Sequence, residues 1–190
     1  MTRQTRESYR HGNVKQDAIK IAIDLIEQNG QQKLSIRQVA AKLGVAHRAL
    51  YNHFANRDAL LDAVATQGYN NLADSIEGTK TSKAFLSTYI DFALQRSNLF
   101  DVMTNRPHAK MSETPLLQEA VHRVITKAWT LFGNETESSI ENRKTVMGIY
   151  MLLHGGVSLH RQGILDVEST NSLIADLEEM AKRIGGQNHV

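Results

Sequence analysis

The fold is decided by the stretch Ser35-Ile36-Arg37-Gln38-Val39-Ala40-Ala41-Lys42-Leu43-Gly44-Val45-Ala46-His47-Arg48-Ala49-Leu50-Tyr51-Asn52-His53-Phe54. Ser35 followed three residues later by Gln38 is the pattern of a capping box, which predicts that a short helix begins at this point. Gly44 ends that helix, because glycine readily takes the left-handed backbone conformation of a tight turn. A second short helix follows at about residues 46–54. Two short helices joined by a glycine turn are typical of a helix-turn-helix.

The side chains of this stretch divide into an inner and an outer set. Ala40 is small enough to let the two helices cross closely, and Val45 and Leu50 supply apolar contacts between them. Any pair of packed helices could share these features. The outer face of the second helix, however, carries two histidines, Arg48, an asparagine and a tyrosine without any acidic residue. A recognition helix reads the major groove with its N-terminal residues, so we predict that this face binds double-stranded DNA.

The charge of the chain is distributed unevenly. Residues 1–60 contain ten Lys and Arg against five Asp and Glu, a net charge of +5, and residues 61–190 contain twelve against fifteen, a net charge of −3. A solvated basic surface alone would explain this difference. Together with the helix-turn-helix pattern, it favours a DNA-binding head at residues 1–60 and a separate body at residues 61–190.

The rest of the chain shows helical spacing and no convincing strand pattern, which predicts an all-α fold of about nine helices. Asn13 and Gly30 bound the first helix, and Asn56 caps the fourth. We expect Asn134, with Glu137, to begin the eighth helix. The other helices are predicted at about residues 82–96, 98–104, 115–132 and 169–184, with the eighth ending near residue 161 and a loop at 106–113.

Composition excludes several classes of site. The chain has no cysteine, which excludes disulfides, thiolate metal ligands and a cysteine nucleophile. His154 and His160 are not spaced to share a helix face, and no His-Glu-x-x-His motif occurs, so we expect no metal and no cofactor. No apolar run approaches the length of a membrane span, and the N-terminus is polar and basic without a signal-peptide pattern. We therefore expect a cytoplasmic protein that does not bind membranes.

Residues 14–72 resemble the TetR-type transcriptional repressors. The resemblance rests on Asn29-Gly30, Leu34-Ser35-Ile36-Arg37-Gln38-Val39-Ala40, Leu43-Gly44-Val45, Leu50-Tyr51-Asn52-His53-Phe54 and Asn56-Arg57-Asp58-Ala59-Leu60-Leu61. It implies a homodimer that binds a near-palindromic operator through three-helix heads, with bodies that dimerise and bind a small effector. Tyr9-Arg10-His11-Gly12 and Leu152-Leu153-His154-Gly155-Gly156 resemble a subgroup with a Trp-His-Gly-type C-terminal domain.

The resemblance also implies roles for eight residues at the DNA. Ser35 and Arg37 would approach phosphates, Tyr51 and His53 would contact the DNA backbone, and Arg57 stands where the family usually has a phosphate-binding lysine. The bases would be contacted by Ala46, His47 and Arg48. Two of these positions depart from the family: Ala46 replaces a common Ser or Thr, and Arg48 replaces a small residue. These departures bear on the operator sequence.

The body is predicted to dimerise and to hold the effector. Its last two long helices would form a four-helix bundle with a second copy, and residues 146–153, apolar nearly all round, would be buried on every side. An effector pocket for a mostly apolar molecule would form where three segments converge, although a fully packed core is the alternative. The predicted lining is Tyr89, Phe92, Phe100, Met103, His122 and Trp129.

Two other classes of function stay open. The string His154-Gly155-Gly156-Val157-Ser158 resembles the oxyanion loop of lipase-type esterases, but the chain has neither a Gly-x-Ser-x-Gly motif nor the strands that such an enzyme needs. We therefore expect no enzymatic activity. The second alternative is a helical adaptor whose basic head binds an acidic protein, which a DNA mobility shift would distinguish from a transcriptional regulator.

Overall fold

The computed structural model of the chain describes residues 13–106 and 113–185. Over these two ranges it consists of nine α-helices and a one-turn 3-10 helix at Gln31–Lys33, without a strand, so the all-α prediction is confirmed. Residues 107–112, most of the predicted loop at 106–113, lie outside the described part. The helices are α1 (Val14–Asn29), α2 (Ile36–Leu43), α3 (His47–Tyr51), α4 (Arg57–Glu77), α5 (Ser82–Gln95), α6 (Ser97–Thr104), α7 (Pro115–Phe132), α8 (Ser139–Arg161) and α9 (Thr170–Ile184).

The helices α1 to α3 form a small three-helix unit. The apolar stripe of α1 is buried, and Gly30, with a φ of 76°, ends the helix as predicted. Ser35 and Gln38 form the predicted capping box at the start of α2. Helix α3 is shorter than the predicted 46–54: it ends at Tyr51, and residues 52 and 53 form a turn in which the backbone N–H groups of His53 and Phe54 both donate to the carbonyl of Leu50.

Helix α4 is the central element of the fold. It begins at the predicted cap, where the Asn56 side chain accepts a hydrogen bond of 2.9 Å from the backbone N–H of Ala59. It then packs against α1, α5, α6 and α7. The predicted domain boundary at residue 60 falls in its first turns and stays a prediction.

The predicted start of the eighth helix is wrong by five residues. Asn134 forms a turn instead, with its side chain accepting hydrogen bonds from the backbone N–H and the hydroxyl of Thr136. Helix α8 begins at Ser139, capped by the Ser138 hydroxyl, which accepts from the backbone N–H of Glu141. The sequence contains two consecutive capping patterns, Asn134 with Glu137 and Ser138 with Glu141, and the structure uses the second.

The prediction that residues 146–153 are buried on every side is wrong for a single chain. Met147 and Met151 of α8 have 48% and 60% of their surface exposed, while the intervening Ile149 is buried. The exposed apolar surface continues onto Met180 and Ile184 of α9. Of the helices in the described ranges, none is long and apolar enough to cross a membrane.

Candidate nucleic-acid interface and the interior of the body

The helix-turn-helix has the predicted geometry. Gly44 adopts a left-handed conformation with φ 74° and ψ 25°, and the backbone N–H of Val45 donates to the carbonyl of Ala40 over 3.1 Å. Val39, Ala40, Leu43 and Leu50 are buried between the helices. The apolar contacts therefore fix α3 against α2 and leave the opposite face of α3 to solvent.

The exposed face around α3 carries the predicted base-contacting and backbone-contacting residues. The side chains of His47 and Arg48 are exposed, as are Tyr51, with 49% of its surface accessible, and His53. The rings of His47 and Tyr51 lie 6.4 Å apart, edge to face, one turn apart on the helix. In the described part of the chain Arg48 takes part in no ion pair, so its guanidinium is available to a ligand. Arg37 and Ala46 are likewise exposed, and the role of each residue at DNA stays a prediction.

Two of the predicted phosphate-contacting residues are engaged within the protein. The Ser35 hydroxyl accepts a hydrogen bond of 3.2 Å from the backbone N–H of Gln38, and its own backbone N–H donates to the Gln38 side chain. Arg57 is half-buried; its Nε donates to the carbonyl of Leu34 over 3.0 Å and its Nη2 donates to the carbonyl of Gln31. No local sequence pattern reveals these contacts of Arg57, because its partners lie 23 and 26 residues away.

The structure brings three of the six predicted effector-binding residues together. Tyr89, Phe100 and Met103 are buried, and the rings of Tyr89 and Phe100 lie 5.8 Å apart, edge to face. Phe92 is half-buried beneath the Arg96 guanidinium.

The other two residues, His122 and Trp129, lie exposed on α7. His122 lines a surface cleft of about 540 Å³ between α4 and α7, beside charged residues that include Glu77 and Lys127. This cleft is not the apolar enclosure that was predicted. The ligand-binding role of all six residues stays a prediction.

The sequence reasoning named neither Tyr69 nor Tyr150, which lie in the body together with His154. The Tyr69 hydroxyl donates to the carbonyl of Met103 over 3.3 Å. The ring of His154 stacks on Tyr150 at 5.9 Å and faces Phe100 at 6.3 Å. Within residues 13–106 and 113–185, the buried Nδ1 of His154 has no hydrogen-bond partner. The spacing of Tyr150 and His154, one helical turn apart, was the only sequence signal for this cluster.

Burial dominates the electrostatics of this interior. It raises the pKa of Tyr69 and of Tyr89 well above the ordinary value, and the nearby phenol of Tyr150 adds to both shifts. Burial also raises the pKa of Tyr150 itself. These three phenols are therefore neutral at physiological pH. The described residues hold no cluster of three or more His, Asp or Glu that could bind a metal ion.

Comparison with known proteins places the helix-turn-helix in a described family. Residues 18–64 match the family model of the bacterial regulatory proteins, tetR family. Over 155 residues the chain is 25% identical to YobS, an uncharacterized HTH-type transcriptional regulator of Bacillus subtilis, and the match covers 78% of this chain and 79% of YobS.

Solved structures share the whole architecture. A protein of unknown function from Rhodococcus sp. RHA1 superposes with a TM-score of 0.70 at 24% identity, covering 94% of this chain and 98% of that one. A TetR protein from Acinetobacter baumannii AYE, solved in complex with minocycline, superposes with a TM-score of 0.62 at 20% identity, covering 90% and 93%. At these identities the likeness shows the fold, with the three N-terminal helices and the helical body in one chain.

Proposed function

We propose that the chain is a DNA-binding transcriptional regulator of the TetR type, which binds a near-palindromic operator as a homodimer and releases it when a small molecule binds the body. The observation that carries the proposal is the acid-free exposed face of α3, which stands on a helix-turn-helix with a buried apolar interior. We assign the protein no catalytic activity. We expect it to act in the cytoplasm, where its operator DNA lies.

The operator contacts follow from the exposed side chains of α3. Arg48 presents two parallel N–H donors that suit O6 and N7 of guanine, a pairing that discriminates between bases by about 1–3 kcal/mol. The Tyr51 hydroxyl lies on the flank of the helix, where it suits a phosphate. Two heads in a dimer would place their α3 helices about 34–36 Å apart, on successive major-groove faces of one side of the DNA.

The homodimer is supported by the exposed apolar surface of α8 and α9. Met147 and Met151 lie one turn apart on α8, and Met180 and Ile184 lie one turn apart on α9. A β-carbon on Gly148 of α8 would lie 3.0 Å from Ile184, so the two helices present their exposed residues as one surface. We infer that a second copy of the chain covers this surface in a four-helix bundle.

The effector is proposed to bind near the aromatic residues inside the body. Phe100 and Met103 of α6 lie beside Tyr69, Tyr89 and His154, so apolar rings surround a few hydrogen-bonding groups, which suits a mostly apolar molecule. The related TetR protein was solved with minocycline, a small molecule. To release DNA, the effector must bind the DNA-incompetent arrangement more tightly than the competent one. Repression in the absence of the effector follows from the same scheme.

The operator test is selection of binding sequences from random DNA, followed by fluorescence polarisation at fixed salt. We expect the wild type to select a near-palindrome. Arg48→Ala should weaken its binding by about 1–3 kcal/mol and relax base preference at one position in each half-site. Tyr51→Phe should weaken all sequences about equally, because phosphate contacts carry no sequence information. Unchanged affinity and sequence profile for Arg48→Ala would contradict the base contact, and an absence of sequence preference in the wild type would favour the adaptor.

The effector test is a thermal-shift screen of lipophilic compounds, with each hit titrated again in the presence of operator. A true effector should bind more weakly to the operator complex, by the same factor by which it weakens operator binding. A compound whose affinity does not respond to operator would not be the effector, whatever its site.

A further inference from the structure

The backbone that enters the helix-turn-helix is held by side chains from two helices outside it. Residues 27–34 comprise the last turn of α1, Gly30 and the 3-10 helix, and they lead directly into Ser35, the cap of α2. Arg57 of α4 contacts this segment near its end, and Arg96 and Asn98 at the start of α6 contact it at Glu27. The course of this segment sets the direction in which α2 and α3 leave α1.

The contact from α4 is made by the fork of one guanidinium. Arg57 donates from Nε to the carbonyl of Leu34, over 3.0 Å, and from Nη2 to the carbonyl of Gln31. These carbonyls lie at the two ends of the short segment between α1 and α2, so a single rigid group fixes its length. A lysine ammonium lacks this planar fork and cannot reproduce the geometry.

The contact from α6 fastens the end of α1. The Asn98 side-chain amide donates to the carbonyl of Glu27 over 2.9 Å, in the last turn of α1, where carbonyls lack a partner within the helix. The Nε of Arg96 lies 3.0 Å from the Glu27 carboxylate. About one-third of the arginine side chain and one-quarter of the glutamate side chain are exposed, so solvent screens this ion pair. The hydrogen bond of Asn98 involves no charged group and is therefore less sensitive to salt.

Helix α6 also reaches the interior of the body. It crosses α4 so closely at Gly68 that a β-carbon there would lie 2.7 Å from Sδ of Met103. Its Phe100 faces His154, and its Asp101 forms a two-bonded ion pair with Arg161 at the end of α8. Helix α6 thus joins the end of α1, through Glu27, to the end of α8, through Arg161.

We propose that Arg57, Arg96 and Asn98 are positioning residues, which set the orientation of the helix-turn-helix for the operator without contacting DNA. Arg57 is thereby assigned to the protein backbone instead of to a DNA phosphate. The arrangement gives α6, which lines the effector cluster, a direct connection to the DNA-binding unit. This assignment rests on the proposed operator binding, but the contacts themselves can be tested without DNA.

The test compares Arg57→Lys, Arg57→Ala and Asn98→Ala with the control Arg123→Ala. Arg123 is a matched arginine because it also joins two helices, donating from α7 to Asn70 and Asp74 of α4, away from residues 27–34. Hydrogen exchange of peptides covering residues 27–43 reports the segment directly in each full-length protein. Operator affinity is then measured at several salt concentrations, since each phosphate that the protein neutralises contributes about 0.9 to the slope of log K against log salt.

We expect Arg57→Lys, Arg57→Ala and Asn98→Ala to speed hydrogen exchange in residues 27–43 about tenfold and to weaken operator binding about tenfold. The Arg57 variants remove hydrogen bonds made by a charged group, and Asn98→Ala removes a hydrogen bond at the end of a helix. The salt slope should stay at the wild-type value. The control should change neither quantity. If Arg57→Ala fails to fold, the Arg57→Lys and Asn98→Ala proteins carry the comparison.

The opposite pattern would overturn the assignment. If Arg57→Lys binds operator like the wild type, and Arg57→Ala lowers the salt slope by about one without faster exchange, then Arg57 binds a phosphate. Exchange in Asn98→Ala equal to that in the control would remove the α6 contact from the proposal. If the wild type binds no DNA sequence selectively, the proposed function fails, whereas the exchange data still decide whether these residues hold the segment.

Discussion

A buried amide holds the turn between α7 and α8. Asn142 of α8 is only 5% exposed, and its side-chain oxygen accepts from the backbone N–H of Asn134 over 2.6 Å. Its amide nitrogen donates to the carbonyl of Asn134 over 2.8 Å and approaches that of Glu137 at 3.4 Å. The Asn134 carbonyl also accepts from the backbone N–H of Glu137 over 3.1 Å, so the Asn134 N–H is the group that depends on this side chain. Because buried polar groups without partners are costly, this residue has more effect on the turn than its exposed neighbours.

We predict that Asn142→Leu lowers the free energy of unfolding by about 1–3 kcal/mol, since it keeps the volume but leaves the backbone N–H of Asn134 without its partner. The matched control is Asn134→Ala, which removes the side-chain bonds to Thr136 and keeps the backbone bonds to Asn142; it should cost less than about 1 kcal/mol. Urea unfolding of both variants measures the difference. Equal losses would show that the Asn142 bonds do not hold the turn.

Residue placement could be predicted where the neighbours along the chain determine it. The exposure of His47 and Arg48 follows from the apolar positions around them, and both are exposed. The contacts of Arg57 could not be predicted, because they join the start of α4 to carbonyls that only the packed fold brings near. The contact of His154 with Phe100 could not be predicted for the same reason, since Phe100 lies on another helix.

The helix boundaries follow side-chain capping closely. The Asn56, Ser35 and Ser169 side chains each accept the backbone bond that a cap requires, and all three helices begin as predicted or one residue later. Asn13 precedes α1 but its side chain makes no capping bond. Asn134 shows the same local pattern, but its backbone N–H and carbonyl bond to the buried side chain of Asn142, and the Ser138 hydroxyl makes the cap bond instead.

At the level of helix pairs, we predict that the crossing of α4 and α6 does not tolerate a methyl group at Gly68. In Gly68→Ala the new β-carbon would meet Sδ and Cγ of Met103 at 2.7 and 2.8 Å and Leu99 at 3.3 Å. Met103 is fully buried and has little space in which to move, so overpacking should cost about 1–3 kcal/mol despite the better helix propensity of alanine.

The control for this crossing lies on the same helix. At Gly78, the end of α4, a β-carbon would meet nothing within 4 Å and the backbone is right-handed helical, so Gly78→Ala should be neutral or slightly stabilising. The double variant Gly68→Ala/Met103→Val should be more stable than the sum of its single changes predicts, because valine is shorter than methionine and lacks the sulfur that the new β-carbon would meet. Thermal unfolding measures all four proteins. Additive losses would show that Met103 is not the obstacle.

At the scale of the whole molecule, the apolar surface of α8 and α9 is the feature that a single chain leaves unexplained. The sequence pattern of residues 146–153 indicated burial all round, and the structure buries Val146, Ile149 and Leu153 while exposing Met147 and Met151. A pattern read along one chain cannot separate burial in the chain's own core from burial by a partner. The structure separates them, and it shows which substitution tests the partner without harming the core.

Met151→Lys is that substitution, because Met151 is 60% exposed in the single chain and Leu152 beside it packs against the core. In the proposed dimer the lysine would be an unpaired charge in an apolar interface, which costs several kcal/mol. We expect sedimentation at micromolar concentration to give a dimer of 21.3 kDa chains for the wild type and a folded monomer for Met151→Lys. Operator affinity should fall by roughly 10²–10⁴, because the second head no longer binds intramolecularly.

Leu116→Lys, at a 65% exposed position on α7, is the matched control and should stay dimeric. A monomeric wild type, or a Met151→Lys dimer that binds operator normally, would show that this surface does not join the two copies.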